Sequence, residues 1–306
     1  MDKRTKKSLY AKNWMENKYV YLMLVPVVLY YFLFHYLPMG GAVIAFQEYY
    51  PAKGFLGSKW VGLENFRSFV MGHYFWRLIK NTLLINVYQI AFGFPAPIIL
   101  ALLINEMKDG LYKRTLQTVS YMPHFISLVV VCGLLVDFSR TDGLFNDLII
   151  LLGGERTSLL ARSELFRTIF VSSTVWQSIG WGSIIYLATL STVDPGLHEA
   201  AVIDGANRLQ RVVHISFPAL VPVIVVQLIM RIGNIMTQGF EKVILLYSPL
   251  TYETADVISS FVYRQGLIQM DYSFGSAVGI FNSAINLTIL FAVNRLSRKT
   301  INESLW

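Results

Sequence analysis

Two stretches of this sequence carry residue types that could do chemistry at a useful spacing. The first is Asp194-Pro195-Gly196-Leu197-His198-Glu199-Ala200-Ala201-Val202-Ile203-Asp204-Gly205-Ala206. Asp194 suits a helix N-cap and Pro195 the first helical position. Gly205 permits a sharp exit, and Asp204 is expected to cap the helix that follows. Ala200 and Ala201 leave one face nearly bare, so another surface can approach closely, and Glu199 offers a charge to a basic partner. A short rigid helix of this kind can carry a partner's motion into the rest of the chain. An ordinary amphipathic connector accounts for the same residues equally well.

The second stretch is Gln227, Arg231, Asn234 and Gln238, at i, i+4, i+7 and i+11. At 100° per residue they fall within an arc of about 60°, one polar face of an otherwise apolar helix. Ser173, Gln177 and Trp181 repeat every four residues with Trp176 beside them, and Asn282 and Asn286 are also four apart. Amides and a guanidinium hydrogen-bond hydroxyls, and indoles stack on the apolar faces of pyranose rings. Trp176, Gln177, Trp181, Gln227, Arg231, Asn234 and Asn282 are therefore candidates for lining a substrate path. Hydrogen bonding between helices is the competing account of each residue taken singly.

Other chemistry has little to stand on. His35, His73, His124, His198 and His214 are scattered without metal-ligand spacing, and Cys132 is the only cysteine. No Ser/His/Asp or Cys/His arrangement stands out, which argues against an enzyme. Glu106 and Asp137 sit at the ends of apolar blocks, where acids reach the interface. No Gly-rich phosphate loop ending in Gly-Lys-Ser/Thr is present, so any chemistry with ATP and Mg must come from a partner.

The elements that must position these residues are membrane helices. The 306 residues are 54% hydrophobic and only 15% charged, where soluble domains carry about a quarter. Apolar blocks near 19–46, 80–106, 117–137, 168–192, 216–236 and 276–294 have the length of a bilayer span, about 20 residues. Six transmembrane helices in an all-α integral membrane protein are expected. The first block is too long for a secretory signal. Placing 1–18, 107–115, 193–215 and 295–306 on one side gathers Lys3, Arg4, Lys6, Lys7, Lys12, Lys18, Lys108, Lys113, Arg114, Arg208, Arg211, Arg295, Arg298 and Lys299 there. Basic residues are then about twice as dense on that side, which makes it cytoplasmic, with both termini inside. The net charge of +7 is read as a topology signal rather than as nucleic-acid binding.

The segment from Glu199 to Ala206, with Phe217-Pro218 downstream, resembles the EAA loop of binding-protein-dependent ABC importers. Phe34-His35-Tyr36-Leu37-Pro38-Met39, Trp60-Val61-Gly62-Leu63-Glu64-Asn65-Phe66, Ser120-Tyr121-Met122-Pro123-His124-Phe125-Ile126-Ser127 and Tyr247-Ser248-Pro249-Leu250-Thr251-Tyr252-Glu253-Thr254-Ala255-Asp256-Val257 are similar to one branch. That branch is the LplB-like group of multiple-sugar and polysaccharide permeases of Gram-positive bacteria. The resemblance implies one permease domain over 1–306 of type I (MetI-like) importer fold. Within it lie an N-terminal segment 1–18, a transport core of about 75–296 and a coupling loop 194–215. Glu199, Ala200, Ala201, Asp204, Gly205 and Ala206 would dock on an ATPase. It further implies a heterodimer with a second, related permease, two ATPase subunits, an extracellular solute-binding lipoprotein and oligosaccharide cargo, all at the cell membrane among its lipids. The chain itself would hold no cofactor. A stand-alone secondary transporter or channel for a small polar solute is the alternative. It would favour inverted repeats or mid-span acids, and neither is evident.

Overall fold

The computed structural model describes residues 17–236 and 239–300. The basic residues Lys3, Arg4, Lys6, Lys7 and Lys12, and Gln238 of the polar face, lie outside the described residues. Eight principal helices make the fold: α1 Lys18–Phe46, α2 Phe75–Asn105, α3 Leu111–Phe125, α4 Leu128–Phe138, α5 Ser163–Leu190, α6 Pro195–Ile203, α7 Arg208–Gly233 and α8 Tyr272–Thr300. Two two-residue strands, β1 Gln47–Glu48 and β2 Lys59–Trp60, pair antiparallel after α1.

Among the described residues α1, α2, α7 and α8 are each long and apolar enough to cross a membrane, and α3 with α4 passes as a bent pair. The expected third span is therefore not straight: its two helices meet at 93°. Pro123 has no N–H to give, and Met122–Phe125 winds as a 3-10 turn before Ile126 extends the chain. The Gln177 amide then donates to the Ile126 carbonyl at 3.2 Å. At this elbow α5 comes so near α3 that a Cβ on Gly180 would collide with the Ser120 carbonyl, so only a hydrogen fits.

The expected fourth span differs in another way. Residues 168–192 lie largely in α5, which is long enough at 28 residues but is not among the helices apolar enough to cross by composition. Its position explains this. α5 runs through the middle of the bundle against α2, α3, α7 and the 249–255 segment, burying Phe166, Phe170, Ser173, Gly180, Ser183, Tyr186 and Leu190. Its hydroxyls at Ser173, Thr174, Ser178 and Ser183 bond carbonyls of their own helix, so they need no lipid-facing water.

Cores form on either side of this axis. Phe166, Phe170 and Val171 pack with Ile85, Cys132, Val243 and Leu246, while Tyr186 and Leu190 pack with Ile98, Ala101 and Leu220. Phe69, Leu78, Ile258 and Val278 make a third core joining α8 to α2. By contrast α1 has no buried residue in its most apolar stretch, and only its last turns, Gly40–Phe46, pack on α8.

Candidate functional site

A cavity of about 590 Å³ opens between α2, α5 and α7. Gln227, Arg231 and Asn234 of α7 and Trp181 of α5 line it, so the three described residues of the polar face do share one wall. The Arg231 guanidinium donates through Nη2 to the Gln89 Oε1 at 3.3 Å, and its buried Nε has no acceptor among the described residues. Asn234 ends α7 and returns its Nδ2 to the Met230 carbonyl at 3.0 Å. Trp181 is half-exposed. The His124 ring stacks flat on it at 4.5 Å, and Phe125 meets it edge-on at 5.7 Å. Among the described residues neither Asp nor Glu lines the cavity.

Three residues of the expected path lie elsewhere. Trp176 is five residues before Trp181, or about 140° around the helix, and lines a separate apolar cavity of about 430 Å³ with Val131, Phe138 and Phe145. Gln177 gives its amide to the elbow at Ile126. Asn282 donates to the Met236 carbonyl at 3.3 Å, while the Asn286 Oδ1 accepts from the Met236 N–H at 3.1 Å. Together these asparagines pin α8 to the chain that leaves α7. Asn282 also borders a further cavity of about 600 Å³ beside Tyr263 and Tyr272.

Gln89 and His124 were not among the expected site residues. Gln89 is one of several amides in its apolar block, with Asn81 and Asn86 on the turns before it, and a polar side chain inside a span usually faces the bundle interior. Gln89 opens a π turn, Gln89–Gly93, ahead of Pro95 and Pro97. Those prolines cannot bond back to the turn before them, which loosens the winding there.

The second candidate segment is helical, as expected. Asp194 caps α6 by accepting from the Gly196 N–H at 2.9 Å, with Pro195 at the first position. Gly205 adopts φ +79°, a left-handed turn that favours glycine. Asp204, however, does not cap the following helix. The left-handed turn and Ala206 carry the chain on to Asn207, whose Oδ1 accepts from the Gln210 N–H while the Gln210 Oε1 accepts from the Asn207 N–H, at 2.9 and 2.7 Å. α6 buries nothing, and Leu197, Val202 and Ile203 are exposed, Ile203 by 85%. Arg211 faces Glu106 at 3.8 Å and so ties the start of α7 to the end of α2.

At the far end of α2 a polar node is closed. Asp256, fully buried, takes Arg264 through both oxygens at 2.6 and 3.2 Å, Arg77 at 3.4 Å and the Ser260 hydroxyl at 2.8 Å. The Asn81 Nδ2 donates to the carbonyls of Glu253 and Asp256, and Arg167 donates to the Asn81 Oδ1 at 2.8 Å. Lys242, expected on an outer loop, is also buried and donates to the Thr174 hydroxyl at 2.9 Å.

Residues 93–302 match the family described as "Binding-protein-dependent transport system inner membrane component". The chain is 42% identical over 299 residues to Protein LplB of Bacillus subtilis, covering 96% of this chain and 94% of that one. It is 43% identical over 305 residues to the polygalacturonan/rhamnogalacturonan transport system permease protein YteP of the same organism, at 99% and 95% coverage. In three dimensions it resembles a chain of a bacterial ABC transporter involved in import of the acidic polysaccharide alginate, with TM-score 0.89, 41% identity and coverage of 95% and 99%. A second similar structure, with TM-score 0.89, 40% identity and coverage of 96% and 99%, is a bacterial alginate ABC transporter in complex with an alginate pentasaccharide-bound periplasmic protein. The chain belongs to the inner membrane components of binding-protein-dependent transport systems, and is a multi-pass membrane protein.

Proposed function

We infer that this chain is the permease of an ABC importer for polysaccharides or oligosaccharides, with the α2–α5–α7 cavity as part of the sugar's path. The observation that carries the site is the convergence of Trp181, Gln227, Arg231 and Asn234 from two helices on one cavity of about 590 Å³. An indole for stacking and three hydrogen-bonding groups form the mix that ligand pockets use to orient a polyhydroxylated ring. Trp176, Gln177 and Asn282 lie outside this cavity, where Gln177 and Asn282 brace the helices that form it.

The remaining parts follow from the family. α5 joins the five apolar spans as the sixth, shielded by its neighbours, with both termini cytoplasmic in the plasma membrane of a Gram-positive bacterium. α6 and the turn after it, from Glu199 through Ala200 and Ala201 to Asp204, Gly205 and Ala206, form the coupling segment. Its exposed Leu197, Val202 and Ile203 have nothing to pack on among the described residues, which fits a groove on an ATPase subunit. Two such subunits bind ATP and Mg and drive a heterodimer of this permease with a related one. The uncovered α1 supports that pairing. An extracellular solute-binding lipoprotein delivers cargo, as the periplasmic protein holds a pentasaccharide in the alginate system.

The test is uptake by the complete importer reconstituted in liposomes, supplied with oligosaccharide on its binding protein. Trp181→Ala should lower transport about tenfold or more, the scale of one lost stacking and orienting contact, with assembly and basal ATP hydrolysis intact. Unchanged transport in that variant would remove the cavity from the path.

A further inference from the structure

We propose that the α2–α5–α7 cavity is built for a carboxylate-bearing sugar, and that Arg231 is the residue that selects its charge. The proposal rests on the reading of this cavity as the cargo path and names its substrate class. A guanidinium inside a membrane bundle is costly unless a counter-charge or water compensates it. Where this chain uses arginine to hold itself together, it supplies the counter-charge: Arg264 and Arg77 meet Asp256, and Arg211 meets Glu106. Arg231 is arranged otherwise. Its hydrogen-bond partner is the neutral Gln89 amide, and among the described residues no Asp or Glu lines the cavity it borders.

Arg167 and Lys242 also bond neutral oxygens, but neither borders this cavity. The Gln89 carbonyl oxygen holds one arm of the Arg231 fork and fixes its plane without neutralising it. What remains is a positioned cation beside an indole, with the Tyr186, Gln227 and Asn234 side chains around it. Planar two-point pairing with a carboxylate is what a guanidinium does best, and an ammonium ion lacks that geometry. A ring that stacks on Trp181 and carries a carboxylate completes both halves of the site. A neutral ring leaves the cation uncompensated.

The test is binding by the assembled importer in nanodiscs, probed with trigalacturonate and with the neutral trisaccharide made from it by carboxyl reduction. Wild type should bind the acid about tenfold more tightly or better. Arg231→Gln should bring the two affinities within about twofold by weakening the acid alone, and Arg231→Lys should fall between. Equal binding of both sugars by wild type, binding of neither, or a preference that survives in Arg231→Gln overturns the proposal. Trp181→Ala and Gln227→Ala separate the two layers of the argument. If they weaken both sugars alike while Arg231→Gln leaves the ratio untouched, the cavity is the path but the charge is not selected there. If they and Arg231→Gln leave both affinities unchanged, the cavity reading itself has failed.

Discussion

The segment around Asp256 and the segment around Glu199 are both short helical connections, and they handle unsatisfied groups in opposite ways. At Asp256 every strong group closes on its own chain: two arginines and a serine on the carboxylate, and Asn81 on two carbonyls of the same loop. At α6 nothing is buried, and Leu197, Val202 and Ile203 face outward. The first segment holds its geometry through its own bonds, because both oxygens of the buried carboxylate and both ends of the Asn81 amide have partners within the chain. The second is held at its ends, by Asp194 and by the Asn207–Gln210 box, and its outward face meets nothing among the described residues. Self-sufficiency at one place and incompleteness at the other match the coupling role proposed for α6.

The contrast can be attacked from either end. Asp256→Ala should have the largest effect: it strands Arg264 and Arg77 beside a buried gap and should cost about 3–5 kcal/mol, the usual penalty for breaking a buried ion pair. Thermal unfolding of the detergent-solubilised complex reads it, and a midpoint close to wild type would show that the node is not structural. Asn207→Ala removes one cap and should cost about 1 kcal/mol. It should be seen as faster hydrogen exchange at the first amides of α7, with the Asp256 region unchanged. Ile203→Ser should alter stability by less than about 0.5 kcal/mol, since the side chain touches little. It should nonetheless reduce cargo-stimulated ATP hydrolysis in the reconstituted importer, and full stimulation would mean that this face docks on nothing.

How much of this was legible beforehand depended on the reach of each interaction. The ends of α6 could be read because Asp194, Pro195 and Gly205 act on their immediate neighbours. The α7 face could be read because helical periodicity places Gln227, Arg231 and Asn234 together without help from other helices. Asp204 and Asn207 were equally good caps by type. The choice fell to the left-handed turn at Gly205, although the Asn-x-x-Gln spacing to Gln210 was a signal available in the sequence. Pro123 announced a weak point, but the 93° elbow also depends on how closely α5 passes Ser120 at Gly180. Burial of Lys242 and the meeting of Gln89 with Arg231 join residues on separate helices, and no local pattern encodes them. The polar character of α5 was readable, yet its meaning came only from seeing α2, α3 and α7 packed against it.

The π turn at Gln89–Gly93 has a consequence for how variation in this chain should be interpreted. A π turn holds one residue more than the α turn it replaces. Remove that surplus, by deleting a single residue between 89 and 93, and each half of α2 would still show an unbroken helical rhythm. The two halves would be rotated against each other by about 100°. Gln89 would then turn away from Arg231, or Pro97 away from the cavity wall, with no side chain substituted. A one-residue gap here is therefore a change of phase, and its effect on cargo should exceed that of most substitutions nearby.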